Sequence, residues 1–281
     1  MEKMKNNKKI KIVSIRSSSD GNCTLVSNGN INILVDCGVS LKTINECLNE
    51  YNISFENINY IFITHSHSDH IKSIDKILTK YNIKIVGLRD TLNIIYNQLV
   101  NKNIKVNPKL FYPLHIKNNF FEYNKPLLID NIKIKFLEAY HDVPCLFYKF
   151  YIDDIVFAIL TDCGIYDTNI LNFLSDVNYL MLECNYDVDM LKENKNYPDY
   201  LKKRISGNLG HMSNVDCSRI IYEIANKNLK LVCLSHISKN NNTEEYAYEF
   251  VNKYLNELNT KNKILPQIIT ASRYRYTKIY N

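Results

Sequence analysis

Thr64-His65-Ser66-His67-Ser68-Asp69-His70 follows the apolar run Tyr60-Ile61-Phe62-Ile63 and sets three imidazoles and one carboxylate within six consecutive positions. Neutral imidazole suits zinc, iron and related ions and a carboxylate suits harder ones, so this mixture can hold a pair of borderline divalent metals. On an extended loop His65 and His67 alternate and can point to the same side. Asp69 and His70 open the segment Ile71-Lys72-Ser73-Ile74-Asp75-Lys76-Ile77-Leu78, whose apolar residues recur at helical spacing. Two ligand pairs can therefore face two neighbouring ions, and the stretch reads as part of a two-metal hydrolase site. A lone histidine is ordinarily a satisfied surface or core residue, but three of the chain's seven lie in this window. The stretch alone specifies metal, not substrate.

On its N-terminal side Ile10 to Ile15 alternates as a strand. Cys23-Thr24-Leu25-Val26 and Ile31-Asn32-Ile33-Leu34-Val35, separated by Ser27-Asn28-Gly29-Asn30, read as a hairpin. A loop of small polar residues, Ser17-Ser18-Ser19-Asp20-Gly21-Asn22, joins the first two strands. Asp36-Cys37-Gly38 ends the third, and Ser40 can cap a helix with apolar Leu41, Ile44 and Leu48. Ile83 to Val86 and a helix over 91–100 complete an alternating β/α pattern. From about 108 to 161 strands dominate: Phe120-Phe121, Leu127 to Ile129, Ile132 to Phe136, Phe147 to Phe150 and Ile155 to Leu160. Helices return over 170–174, 186–205, 213–226 and 243–258, around strands 179–182 and 229–234, with a final strand behind them. Strand blocks flanked by helices predict an α/β (α+β) fold of two sheets packed face to face with helices outside. No composition break divides residues 1–281, which are expected to form a single domain.

A chain of 281 residues can bury a substantial core, and 46% hydrophobic content is ordinary for a globular protein. No apolar run approaches the roughly twenty residues that span a bilayer. The basic start, residues 1–9, meets Ile10-Lys11-Ile12, where lysine interrupts the apolar residues, so no secretory signal and no membrane partner are expected. Eight dispersed cysteines form no CxxC pair and read as free thiols of a cytoplasmic protein; Cys37 and Cys163 adjoin candidate ligands, where small buried packing is the expected role. The net charge of +6 comes from 35 basic and 29 acidic residues that are interspersed, so charge alone does not mark a nucleic-acid protein.

Metal and catalytic groups gather at strand ends, where a rigid sheet holds loops that reach one point. His141 follows the strand from Ile132, Asp162 the strand from Ile155, and His236 the strand from Leu229, while His211 precedes a helix. With the opening motif these account for six of the seven histidines; His115 is left for the surface.

In order, Asp36, the HxHxDH at 65–70, His141, Asp162 and His236 resemble the pattern of the metallo-β-lactamase superfamily over nearly the whole chain. The resemblance implies a four-layer αββα sandwich. It implies one ion held by His65, His67 and His141, a second held by Asp69, His70 and His236, and Asp162 bridging them. Asp36 would orient the histidines from behind. Ser18 to Cys23, Glu183 to Leu191, Leu201 to Ile205, Gly210 to Asn214 and His236 to Thr243 look like the YycJ/WalJ family, whose members are cytoplasmic, metal-dependent, exonuclease-like phosphodiesterases acting on DNA. Three departures are visible: Asp20 is inserted into that family's Gly-Ser-Ser-Gly-Asn, its Ser-Asn-His-Asp is Cys184-Asn185-Tyr186-Asp187, and its Glu-Asn-Asn is Asn240-Asn241-Asn242. Glu183 and Gly210-His211-Met212-Ser213 are similar to elements of the tRNA 3′-processing endonucleases, where a glutamate and a histidine protonate the leaving oxygen. That likeness implies a Glu183–His211 dyad.

The expected function is a metal-dependent phosphodiesterase, a DNA exonuclease using a hydroxide activated by two divalent ions, with Asp69, Glu183 and His211 as catalytic groups. Zinc is the first expectation, and manganese or iron also suit the ligands. Ser18, Ser19, Asn22 and Ser238 are candidate phosphate donors, and Lys202, Lys203, Arg204 and Lys239 can follow a nucleic-acid backbone, or form a solvated helix face. The alternatives are a small-molecule metallo-hydrolase of thioesterase or lactonase type, which usually carries an apolar pocket or an extra helical domain, and an RNA-processing nuclease. A non-enzymatic metal-stabilised module is the third class, and it would be expected to have lost ligands.

Overall fold

Short apolar strands joined by polar turns occupy both halves of the chain, and the computed structural model describes residues 10–114 and 126–280. The predicted strand at Phe120-Phe121, His115 and the basic start lie outside the described residues. In chain order come β1 (Lys11–Arg16), β2 (Cys23–Ser27), β3 (Asn32–Val35), α1 (Leu41–Glu50), β4 (Ile58–Phe62), α2 (Ser68–Ile71), α3 (Ile74–Lys80), β5 (Lys84–Leu88), α4 (Arg89–Asn101), β6 (Phe111–Leu114), β7 (Leu127–Ile129) and β8 (Ile132–Glu138). These are followed by β9 (Leu146–Ile152), β10 (Ile155–Leu160), α5 (Thr168–Leu174), β11 (Tyr179–Glu183), α6 (Val188–Glu193), α7 (Asp199–Ile205), α8 (Asn214–Ile224), β12 (Leu231–Ser235), α9 (Glu244–Leu258), β13 (Gln267–Thr270) and β14 (Thr277–Tyr280).

One sheet has the order β14-β1-β2-β3-β4-β5-β6 and the other β13-β12-β11-β10-β9-β8-β7. Side chains alternate across each strand, so each sheet has two apolar faces to cover. Between the sheets Ile12, Val26, Phe62 and Val86 meet Ile134, Tyr148, Phe150 and Phe157. Outside the first sheet Ile61 and Leu34 pack under Ile44, Ile77 and Ile95 of α1, α3 and α4. Outside the second, Leu160 and Leu182 pack under Ile170, Ile221 and Val251 of α5, α8 and α9. The result is the expected four-layer αββα sandwich.

Three details differ from expectation. The helix read through 71–78 breaks after one turn, because Ser73 is drawn aside to the 37–39 loop, its amide donating to Cys37 O and its hydroxyl to Val39 O at 2.5 Å. The stretch 186–205 is two short helices with Pro198 between them; proline supplies no amide and disfavours helical backbone before it. A strand at 111–114 was hidden by Pro113, which the edge position of β6 accommodates.

Candidate metal centre

The sequence-predicted site residues meet at one end of the sandwich. Asp36, Asp162 and His236 sit at or just past the ends of β3, β10 and β12, each in the left-handed region, with φ of 61°, 64° and 52°. Such backbone is uncommon for residues other than glycine and persists only where its surroundings hold it. Here the restraint is visible. Asp36 Oδ1 accepts from Thr64 N at 2.8 Å, its Oδ2 accepts from Thr64 Oγ1 at 2.9 Å, and the same oxygen lies 2.7 Å from His70 Nδ1. His236 N donates to Ser17 Oγ at 2.9 Å. Gly38 completes the close packing, since a Cβ there would stand 1.5 Å from Asp69 O.

His65, His67 and His141 bring one nitrogen each within 4.8 Å of the others, as do the donor atoms of Asp69, His70 and His236, and those of His65, His70 and Asp162. His67 Nδ1 is 3.3 Å from His141 Nε2, whose ring turns its Nδ1 to Gly210 O at 3.3 Å. Asp69 Oδ2 lies 3.3 Å from His70 Nε2 and 3.2 Å from His236 Nε2. Asp162 stands between, with Oδ2 3.2 Å from His70 Nε2 and Oδ1 3.5 Å from His236 Nε2.

Divalent ions fit these residues. Among the described residues His65 Nε2 is buried with no hydrogen-bond partner, and Asp162 Oδ2 likewise lacks hydrogen-bonding geometry to any neighbour. Buried polar atoms are almost always satisfied, so orphans converging with other donors mark where a cation belongs. Burial, then the positive histidines nearby, push His65 and His67 below their usual range, leaving neutral rings with a lone pair to give. Burial opposes ionisation of Asp69 and Asp162, yet bonds and charges from the histidines outweigh it and hold both carboxyls low. The thiols of Cys37 and Cys163 are pushed up by burial, as packing residues should be.

The acid–base candidates are also together. Glu183, the last residue of β11, is buried, and its Oε1 lies 2.8 Å from His211 Nδ1 and 3.2 Å from His236 Nδ1, while Oε2 accepts from Cys163 N at 2.8 Å. Burial pushes Glu183 up, but the His211 charge and these bonds hold it below its usual range. Burial works against His211 charging, and the Glu183 charge prevails and raises it. His211 Nδ1 is 3.4 Å from Asp162 Oδ1, so the dyad borders the metal groups.

The candidate phosphate donors are placed less simply. Asn22 Nδ2 lies 3.3 Å from Asp69 Oδ2 and 3.1 Å from His70 Nε2, so it braces those side chains. Ser18 Oγ accepts from Asp20 N and Ser238 Oγ from the amides of Asn240 and Asn241, closing their own loops, and Ser19 is exposed. Of the cations, Lys202 Nζ donates to Lys192 O and Arg204 pairs with Asp142, whereas Lys203 and Lys239 have no such partner among the described residues. The sequence reading passed over Ser17, which links Asn22 Oδ1 to His236 N, and Asn185, whose Nδ2 donates to His236 O at 2.8 Å. Their available signal was position, as small polar residues at buried strand ends. It also passed over Asp142, which directly follows His141.

Comparison with known proteins gives the family. The Beta-lactamase superfamily domain matches residues 31–237. The exodeoxyribonuclease WalJ of Streptococcus pneumoniae serotype 2 is 32% identical over 235 residues, 83% of this chain and 84% of that protein. The exodeoxyribonuclease YycJ of Bacillus anthracis is 27% identical over 244 residues, 86% and 88% of the two chains. In fold, the metallo-beta-lactamase fold protein YhfI from Bacillus subtilis superposes with a TM-score of 0.68 over 96% of this chain and 99% of that one, at 17% identity. The chain therefore belongs to the metallo-β-lactamase superfamily, among the hydrolytic enzymes of its WalJ/YycJ exonuclease family.

Proposed function

We propose that this enzyme hydrolyses DNA from its ends with two divalent ions, zinc first and manganese or iron in its place, held by His65, His67 and His141 and by Asp69, His70 and His236, with Asp162 shared. Ions bound there would polarise the phosphodiester and acidify a water. The observation that carries the choice of nuclease is the Glu183–His211 pair beside Asp162, because metals alone serve any hydrolase. A departing sugar alkoxide needs a proton, and a thioester's thiolate does not. Glu183 turns His211 by its Nδ1 and keeps the ring charged, leaving Nε2 to donate to the leaving oxygen. Asn22 and Ser17 hold Asp69 and His236 in place, and Lys203 and Lys239, unpaired among the described residues, can meet backbone phosphates. The names of the WalJ and YycJ relatives favour DNA over RNA.

The test is metal-stripped protein reloaded with zinc or manganese and given end-labelled duplex DNA, single-stranded DNA, RNA and a generic thioester. Loss of label from DNA ends is expected, and Asp162→Ala should reduce it on the order of a thousandfold, matching several kcal/mol of transition-state stabilisation. Nuclease activity undiminished in that variant would sink the two-metal reading; thioester turnover without nuclease activity would replace the substrate class.

A further inference from the structure

Asp142 is a carboxylate at the centre that no resemblance singled out. Its Oδ1 lies 3.3 Å from His67 Nε2 and 3.3 Å from His141 Nε2, and its Oδ2 takes Nη2 and Nε of Arg204 at 2.6 and 3.2 Å. The contact with His67 is electrostatic, short of hydrogen-bond geometry. Because a carboxylate offers no proton, it favours the His67 tautomer protonated on Nε2, whereas the equally near His141 Nε2 is kept bare by the Nδ1–Gly210 O bond. The His67 lone pair is then on Nδ1, which looks at His141 Nε2 from 3.3 Å. His141 has its own proton committed through Nδ1 to Gly210 O. Two lone pairs converging beside the orphaned Nε2 of His65 repel one another unless a cation stands among them.

Both supports trace to one short element. Arg204 lies in the last turn of α7, and that turn is joined to the loop ahead of α8, His211 N donating to Ile205 O at 2.8 Å. Gly210 passes so close that a Cβ would meet Ile205 O at 2.2 Å and Arg204 O at 2.3 Å. The end of α7 thus orients His67 through Arg204 and Asp142, orients His141 through Gly210 O, and anchors the backbone of His211. We propose that Asp142, clamped by Arg204, is a positioning residue that fixes the His67 tautomer and thereby sets metal affinity in the His65–His67–His141 half of the centre, an inference that rests on the metal reading above. It gives Arg204 of the 202–204 run a partner within the chain.

Zinc affinity, measured by competition with a chromophoric chelator, tests this without recourse to activity. Asp142→Ala is expected to weaken one of two zinc ions by about 10–100-fold, the range for lost outer partners of ligating histidines. Asp142→Asn, which keeps an oxygen acceptor for His67, should recover most of it, and Arg204→Met should fall between. Long-range proton–nitrogen spectra of metal-free protein should show His67 protonated on Nε2 in the wild type and losing that preference in Asp142→Ala. Unchanged affinity and tautomer in Asp142→Ala, with His65→Ala defective, would overturn the positioning role alone. Asparagine as damaging as alanine would overturn it in favour of direct ligation by the carboxylate. Equal zinc binding by wild type and His65→Ala would overturn the metal reading itself.

Discussion

Glu183 is held through both oxygens: one is shared by His211 and His236 and the other accepts from the Cys163 amide. A carboxylate so held can both aim His211 and keep it charged above its usual range. His211→Ala should therefore slow hydrolysis of DNA by about 10²–10⁴-fold. The same variant should lose under roughly tenfold on a phosphodiester whose leaving group is p-nitrophenolate, which departs without a proton. Equal losses in kcat/KM on both substrates would make His211 a binding or structural residue. The residues most legible in the sequence were those whose identity is their chemistry: seven histidines and aspartates in a fixed order, and the Glu183–His211 pair. Asn22, Ser238 and Arg204 were legible as polar residues near the site but not in their partners. Whether a side chain faces substrate or closes its own loop depends on distances that no local pattern encodes.

Among the elements, strands and capped helices followed the sequence closely. Ser40 accepts from the backbone of its own first turn as expected, and Ser213 and Thr243 do the same at the starts of α8 and α9. Elements interrupted by one residue were harder, as Ser73, Pro113 and Pro198 show, because each outcome was decided by a tertiary contact or an edge position. Lys149 of β9 carries the same lesson, for a lysine in an apolar strand that the period-two pattern assigns to no clear face. Its side chain is 5% exposed, its ammonium donates to Phe173 O and, at 2.8 Å, to Asp176 Oδ1, and it lies 4.6 Å from the centre of the Phe173 ring. Removing the acceptor strands a buried charge, whereas removing the charge does not. Asp176→Asn is expected to cost about 1–3 kcal/mol in chemical denaturation and Lys149→Met less. Burial raises Asp176, but the Lys149 bond and charge outweigh it and hold the carboxyl below its ordinary 3.8. The stabilisation is then complete above pH 3.8 and is lost as pH falls through the lower folded value. The wild-type Tm should fall more steeply than that of Asp176→Asn in this acid range, and parallel curves would show that the pair contributes nothing.

At the scale of the whole molecule, the two sheets are joined by more than their shared apolar layer. β13 extends the second sheet beside β12, and after a short turn β14 pairs with β1 of the first, placing Ile279 in the layer between them. The sequence announced a closing strand there but not the change of sheet, since a four-residue apolar segment suits either edge. The candidate metal groups repeat this bridging. His65 and His67 come from the loop after β4 and His141 from the loop after β8; Asp69 and His70 come from the first sheet's side and His236 from the end of β12. Ions held by both groups would cross-link the sheets of a chain that has no disulfide to do so, because all eight cysteines are free. A ligand that binds only the folded state stabilises it by about 2.7 kcal/mol at a hundred times its Kd. For a chain of 281 residues that corresponds to roughly 4–6 °C. Excess chelator should lower the Tm of metal-loaded wild type by about that much, and it should lower it much less for the Asp162→Ala and His65→Ala variants, whose groups are already incomplete. If the wild type unfolds at the same temperature with and without chelator, the ions do not tie the sheets together, and the converging strand ends are held by the protein's own contacts, the Asp36–Thr64–His70 and Ser17–His236 hydrogen bonds among them.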